Sequence, residues 1–192
     1  MSPLLANIYL HELDKSMESN YLNLSQDERY RRRKQGKGNC LYVRYADDFV
    51  ILCNGTRADA QQIKEALGGL LNTTGLTLSE EKTKITHITE GFTFLGYGIV
   101  REIGESGRMV PKVIIPDSAM KKVRYTIRGM LSPRTTNDSI NAKILALNRV
   151  IRGWCQYYRA TSSPASTFSK LQHELFWDMA HWLRVSKSAF VR

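Results

Sequence analysis

Residues 40–53 read Cys40-Leu-Tyr-Val-Arg-Tyr45, then Ala46-Asp47-Asp48, then Phe49-Val-Ile-Leu-Cys53. Two runs rich in aromatic and β-branched residues flank a short acidic break, which is the pattern of strand, turn and strand. The stretch predicts an antiparallel hairpin over 40–53 with Asp47 and Asp48 at its tip. Adjacent carboxylates repel each other, and Asn-Gly or Asp-Gly would serve a tight turn better. Two explanations stand side by side: a polar turn and no more, or a cation that accepts both carboxylates, or one of them and a phosphate. Oxygen-only ligands beside a groove suit Mg²⁺. Two such ions about 3.5–4 Å apart form the usual clamp for moving a phosphoryl group between oxygens.

Upstream of the hairpin, Ser2-Pro3 is a helix start, an N-cap followed by proline at the first helical position. Leu5, Ile8, Tyr9, Leu13 and Met17 follow at helical spacing. Ser25–Asn39, with Arg29-Tyr-Arg-Arg-Arg-Lys34 and Gly36-Lys-Gly38, reads as a basic loop. Downstream, Thr56 with Asp59 three residues on forms a capping box, and Ile63, Ala66, Leu67, Leu70 and Leu71 make an apolar face that Gly75 can end. Short strands are expected at 76–79, 84–88, 92–100 and, after a Gly-Glu-Ser-Gly turn, 108–115.

Beyond Pro116 the pattern becomes helical. Helices are expected at about 117–131, with Met120, Val123 and Ile127 as the core face; at 138–160, with Ile140, Ile144, Leu147, Ile151, Trp154 and Tyr158; and at 165–185, with Phe168, Leu171, Leu175, Met179 and Trp182. The expected class is α+β: an α/β region over 1–115 followed by an all-α, three-helix region over 116–192. Trp154 and Tyr158 are read as core residues of that second region.

Charge divides the chain in a similar way. Residues 1–110 hold fourteen Lys/Arg and fourteen Asp/Glu, whereas residues 111–192 hold fourteen basic residues and four acidic ones, so the whole net +10 lies in the second part. A basic region of this kind suits a polyanion, although a solvated surface would look the same from charge alone. No apolar run approaches the roughly 18 residues of a membrane span. Three scattered cysteines, Cys40, Cys53 and Cys155, give no disulfide framework, and a reducing cytoplasm is the default expectation. His11, His87, His173 and His181 show no ligand spacing.

Tyr45-Ala46-Asp47-Asp48 resembles the catalytic hairpin of reverse transcriptases in the variant of group II intron enzymes. Ser2-Pro-Leu-Leu-Ala-Asn-Ile-Tyr9 with Leu13-Asp14 resembles the helix block before it, and Gly75-Leu-Thr-Leu-Ser79 with Lys82-Thr-Lys84 the block after it. Phe94-Leu-Gly-Tyr97 resembles the last polymerase block, and Arg152-Gly-Trp-Cys-Gln-Tyr-Tyr158 the core of the maturase region, or domain X. The chain is thereby identified as similar to the later palm, thumb and maturase parts of a group II intron reverse transcriptase.

The resemblance implies RNA-directed DNA synthesis with Mg²⁺, with Asp47 and Asp48 as catalytic metal ligands and with Tyr45, Ala46, Lys82 and Gly96 near primer or nucleotide. It implies Lys121, Arg124, Arg128, Arg149, Arg152 and Arg159 as contacts to nucleic acid. The implied partners are intron RNA, a template–primer duplex, deoxynucleoside triphosphates and an N-terminal reverse-transcriptase half supplied in trans. The family's fingers and its third metal-binding aspartate find no counterpart here, so the chain alone is expected not to extend a primer. The competing expectation is a non-catalytic RNA-binding maturase remnant.

Overall fold

The computed structural model describes residues 3–135 and 139–190. Those residues form six α-helices and two small antiparallel sheets, an α+β arrangement in two compact units that divide between Thr86 and His87. Ser2 and position 138, the start expected for the second of the three later helices, lie outside the described residues.

The first unit is built on α1 (Pro3–Met17), α2 (Gln26–Lys34), the hairpin β1 (Cys40–Tyr45) and β2 (Asp48–Cys53), and α3 (Arg57–Thr73). Leu10, Leu13 and Met17 of α1, Tyr42 of β1, and Leu67 and Leu71 of α3 form its core. The helical face of α1 therefore differs from expectation: Leu13 and Met17 are buried, but Leu5, Ile8 and Tyr9 are exposed. Thr56 and Asp59 make the expected capping box. Gly75, at φ +75°, ends α3 in a Schellman motif, with its N–H on Asn72 O and that of Leu76 on Leu71 O.

The expected basic loop is instead largely helix. Ser25 accepts from the Glu28 backbone while Glu28 reaches back to the Ser25 N–H, and Gly36 at φ +72° closes the other end. Acidic residues in its first turn and four basic ones in its last complement the helix dipole. The expected strands at 76–79 and 84–88 do not form; among the described residues these stretches are irregular or turn and have no ladder partner.

The second unit joins a three-stranded sheet, β3 (Phe92–Phe94), β4 (Tyr97–Ile103) and β5 (Met109–Ile114), to α4 (Asp117–Met130), α5 (Ile140–Tyr158) and α6 (Pro164–Phe190). The strand expected over 92–100 is in fact a hairpin, because Leu95 (φ 48°) and Gly96 (φ 75°) reverse the chain. Two consecutive residues at positive φ make a type I′ turn, the two-residue loop whose twist matches flanking strands. Proline at its first position starts α6 at Pro164, one residue before the expected start.

Met120, Val123, Ile127, Leu131, Leu147, Leu171 and Trp182 form the core of this unit. The faces expected for α4 and α6 are the buried ones. On α5, Ile140 and Ile144 are exposed while Lys143 is buried, its ammonium lying 5.6 Å from the Trp182 ring centroid. Tyr158 is buried and Trp154 packs against the core. Ser162 ties the sheet to the start of α6: its Oγ accepts from Val113 N at 2.9 Å, and its own N–H donates to Val113 O at 2.8 Å.

Candidate catalytic hairpin and basic helices

The hairpin is in register from Cys40↔Cys53 to Tyr45↔Asp48, leaving Ala46 and Asp47 as a two-residue loop. Cross-strand partners share a face. Cys40, Tyr42, Arg44, Phe49 and Ile51 turn inward, and Leu41, Val43, Tyr45 and Leu52 are on the exposed face. Asp48 opens β2 beside Tyr45, and Asp47 projects from the loop. Both acids are exposed, and among the described residues neither carboxylate has a hydrogen-bond or ion-pair partner. Two carboxylates next to each other in sequence, exposed and unpaired, are available as oxygen ligands.

Ala46 has φ 55°, a region that costs an L-residue with a side chain roughly 1–2 kcal/mol. The strain is held by Arg44. Its Nη1 donates to Ala46 O at 2.7 Å and to Asn7 Oδ1 at 2.8 Å, while Nε and Nη2 clasp Asp14 Oδ1 and Oδ2 at 2.8 and 2.5 Å. Tyr42 donates its hydroxyl to the same Asp14 at 2.9 Å. The Arg44 hydrogen bond holds the Asp14 carboxyl below its usual range, with Tyr42 adding to the effect against the opposing cost of burial. The Tyr42 hydroxyl is pushed well up, by burial first and then by Asp14, and Asp14 raises Arg44 in turn. The side chains of Arg44 and Asp14 are only 14% and 22% exposed, so water screens this pair poorly.

Asp14 and Asn7 on α1 and Arg44 on β1 lie outside the site expected from sequence. Arg44 is the single charged residue within β1, a cue for a paired group, but its partners lie 30 and 37 positions away. Lys82, expected near nucleotide, is exposed in a turn after α3, and no hydrogen bond or ion pair ties its side chain to the tip.

Gly96 lies in a different environment. Tyr157 of α5 donates its hydroxyl to Leu95 O, Tyr158 donates to Gly96 O at 3.2 Å, and Tyr97 donates to Tyr157 O. The rings of Tyr97 and Tyr157 stack at 5.0 Å. Burial, then Tyr157 and Tyr97, raise the Tyr158 hydroxyl. A Cβ on Gly96 would meet the hydroxyls of Tyr157 and Tyr158 at 3.4 and 3.5 Å. The close approach that glycine permits here is therefore to the chain's own α5.

The basic residues fall into two sets. Arg124 makes a bidentate pair with Glu174 at 2.6 Å for both bonds, and Arg128 lies 3.8 Å from Asp178, so both are engaged by α6. Lys121, Arg149, Arg152 and Arg159 are exposed and make no ion pair among the described residues. Lys121, Arg124, Tyr125, Arg128 and Glu174 line an open cleft of about 560 Å³.

Among the described residues, no group of three or more His, Cys, Asp and Glu side chains could hold a metal. The same residues contain no helix long and apolar enough to cross a membrane.

Residues 1–99 match the family described as reverse transcriptase (RNA-dependent DNA polymerase), and residues 120–187 match the group II intron maturase-specific domain. The chain is 33% identical to protein YkfC of Escherichia coli, over 68% of this chain and 39% of that protein. It is 30% identical to the group II intron-encoded protein LtrA of Lactococcus lactis, over 90% of this chain and 40% of that protein. It is 40% identical to a putative COX1/OXI3 intron 1 protein of Saccharomyces cerevisiae, over 60% of this chain and 13% of that protein. The chain thus spans less than half the length of these relatives. Its two matched segments cover most of its length, and it belongs to the reverse transcriptase family of the group II intron, maturase-bearing kind.

Proposed function

We propose that this chain is the later part of an RNA-directed DNA polymerase and maturase. In this reading residues 1–115 belong to the palm and residues 116–192 are the thumb and domain X. The observation that carries the reading is the exposed, unpartnered pair Asp47 and Asp48 on a hairpin tip whose backbone is held from behind. The donor set fits Mg²⁺, which takes oxygen ligands and is held through few protein groups with help from substrate phosphates. When bound, Mg²⁺ would supply charge neutralisation for nucleotidyl transfer from a deoxynucleoside triphosphate to a primer 3′-hydroxyl. Asp47, in the loop, would be the direct ligand; Asp48 completes the pair. Ala46 and Tyr45 border the place a primer end would occupy, and the family resemblance assigns the segments of Lys82 and Gly96 to primer or nucleotide.

Two carboxylates alone hold Mg²⁺ weakly, so a further ligand and the nucleotide-closing surface must come from a fingers-and-palm segment acting together with this chain. The exposed cations Lys121, Arg149, Arg152 and Arg159, with Arg124 and Arg128 beside them, would contact the backbone of intron RNA or of the template–primer duplex. The test is primer extension on an RNA template with Mg²⁺. The chain alone should give no product, addition of a family fingers-and-palm segment should give it, and Asp47→Ala should abolish it. RNA binding without extension under every pairing would instead favour the non-catalytic maturase reading, which the basic surface supports equally.

A further inference from the structure

The tip of the hairpin poses a conformational problem that its own sequence does not solve. Ala46 occupies a positive φ, the place where glycine would be unstrained, and the loop that follows carries Asp47. Something must hold that backbone, since a strained turn persists only where its surroundings over-determine it. Among the described residues, the one side chain bonded to the loop backbone is Arg44, through Nη1 to Ala46 O at 2.7 Å. The rest of its guanidinium is taken up by Asp14 and Asn7, both on α1. Arg44 therefore has no freedom to swing: a fork with two prongs on Asp14 leaves Nη1 aimed at the turn. Leu13, next to Asp14, is 1% exposed and anchors this part of α1 in the core.

We infer that Arg44, oriented by Asp14 and Asn7, is a positioning residue that fixes the Ala46–Asp47 turn and with it the direction in which Asp47 presents its carboxylate. The inference rests on the proposed function for the use of that carboxylate. It concerns α1 and β1 residues that touch no substrate in that reading. Lysine cannot replace this arginine, because a single ammonium cannot bond a carboxylate bidentately and also reach Asn7 and the Ala46 carbonyl. A bare ion pair between α1 and β1 would not do either. In the exchange Asp14→Arg with Arg44→Asp the pair is rebuilt, but the group now at position 44 has no N–H to give to Ala46 O.

That exchange separates positioning from stapling. The experiment uses the full chain in solution, with NMR of the backbone amides and Mn²⁺ as a paramagnetic probe of the Asp47 and Asp48 resonances. In the unaltered chain Ala46 should show the strong intraresidue HN–Hα contact of a positive φ, and low Mn²⁺ should broaden Asp47. In Arg44→Lys and in the exchange variant, contacts within the core of Leu10, Leu13, Met17, Tyr42, Leu67 and Leu71 should persist while the Ala46 signature is lost. The Mn²⁺ concentration needed for broadening should then rise about tenfold, the scale on which a second layer of partners tunes a metal site. An exchange variant that keeps both the Ala46 signature and the Mn²⁺ response would overturn the inference, as would absence of the signature from the unaltered chain. Asn7→Ala, a milder change on an exposed residue, should shift Ala46 in the same direction and guards against loss of fold in the others. If Ala46 responds to Arg44 but Mn²⁺ never broadens Asp47 in any variant, the positioning role stands and the metal reading of the tip fails.

Discussion

The two units each contain a two-residue hairpin turn with a non-glycine residue at positive φ, and they hold it by opposite means. Ala46–Asp47 is strapped from its own strand by Arg44, a charge locked onto Asp14 of α1. Leu95–Gly96 is strapped by the neutral hydroxyls of Tyr157 and Tyr158 from α5. Around the first turn the fold leaves two carboxylates exposed and unpaired; beside the second it gathers three tyrosine rings packed on one another. The turn that leaves its carboxylates exposed is held from behind, by a group whose own charge is already satisfied. The turn between β3 and β4 is held from the front, by hydroxyls of the helix it packs against.

The largest difference should appear on cutting each strap. Arg44→Leu leaves Asp14 half-buried without its cation, and loss of one partner from a buried pair costs on the order of 3 kcal/mol. Urea unfolding of the full chain should register that loss in the unit containing α1. Tyr158→Phe removes one neutral hydroxyl from Gly96 O and should cost about 1 kcal/mol. Equal losses would mean that the charge network gives the first turn no special rigidity.

Glycine exchanges sharpen the comparison at smaller cost. Gly96→Ala should destabilise by about 1–2 kcal/mol, since φ is +75° and a Cβ meets the Tyr157 hydroxyl at 3.4 Å. Ala46→Gly should be neutral or mildly stabilising to the fold, by less than about 1 kcal/mol, because it relieves the positive φ. If Ala46→Gly instead destabilised as much as Gly96→Ala, Ala46 would not be strained.

Acid should separate the turns as well. The folded Asp14 carboxyl titrates below its ordinary value of 3.8, so the stability it contributes is fully present above that value and is lost as pH falls through the lowered one. In that window the Ala46 turn, whose carbonyl is held through the Asp14–Arg44 pair, should lose its positive-φ NMR signature, while the Gly96 turn, whose carbonyl accepts from the Tyr158 hydroxyl, keeps its own. Simultaneous loss would place the acid-sensitive element elsewhere.

Much of this is legible in the sequence, and the failures have physical reasons. The hairpin at 40–53 follows from alternating β-rich runs around a polar break, and α4 and α6 follow from apolar residues at helical spacing. The helix at Gln26–Lys34 is hidden by its charge: a run of arginines reads as a solvated loop, yet Ser25, Glu28 and Gly36 carry the cap signals at both ends. The turn at Leu95–Gly96 escapes a sequence reading because leucine is a poor residue for positive φ, and only α5, sixty positions on, makes it tenable. The acids of the site are visible as a motif. The arginine that positions their turn is not, because its role exists only once α1 lies against β1. Arg124 and Arg128 look like free cations for the same reason: Glu174 and Asp178 meet them only in the folded unit.

The proposed function divides the labour, with chemistry at the exposed carboxylates of the first unit and grip on nucleic acid at the unpaired cations of the second. Its most direct test is to measure extension rate and duplex affinity separately, in the chain supplemented with a fingers-and-palm segment. Asp47→Asn should abolish extension at saturating duplex and leave the affinity unchanged. Replacing Arg149, Arg152 and Arg159 together with Ala should weaken binding across sequences and lower the salt slope by about 3, one for each phosphate no longer neutralised, while the rate at saturation stays the same. If Asp47→Asn lowered affinity alone, or the triple replacement stopped extension at saturating duplex, the proposed separation of chemistry from grip would be contradicted.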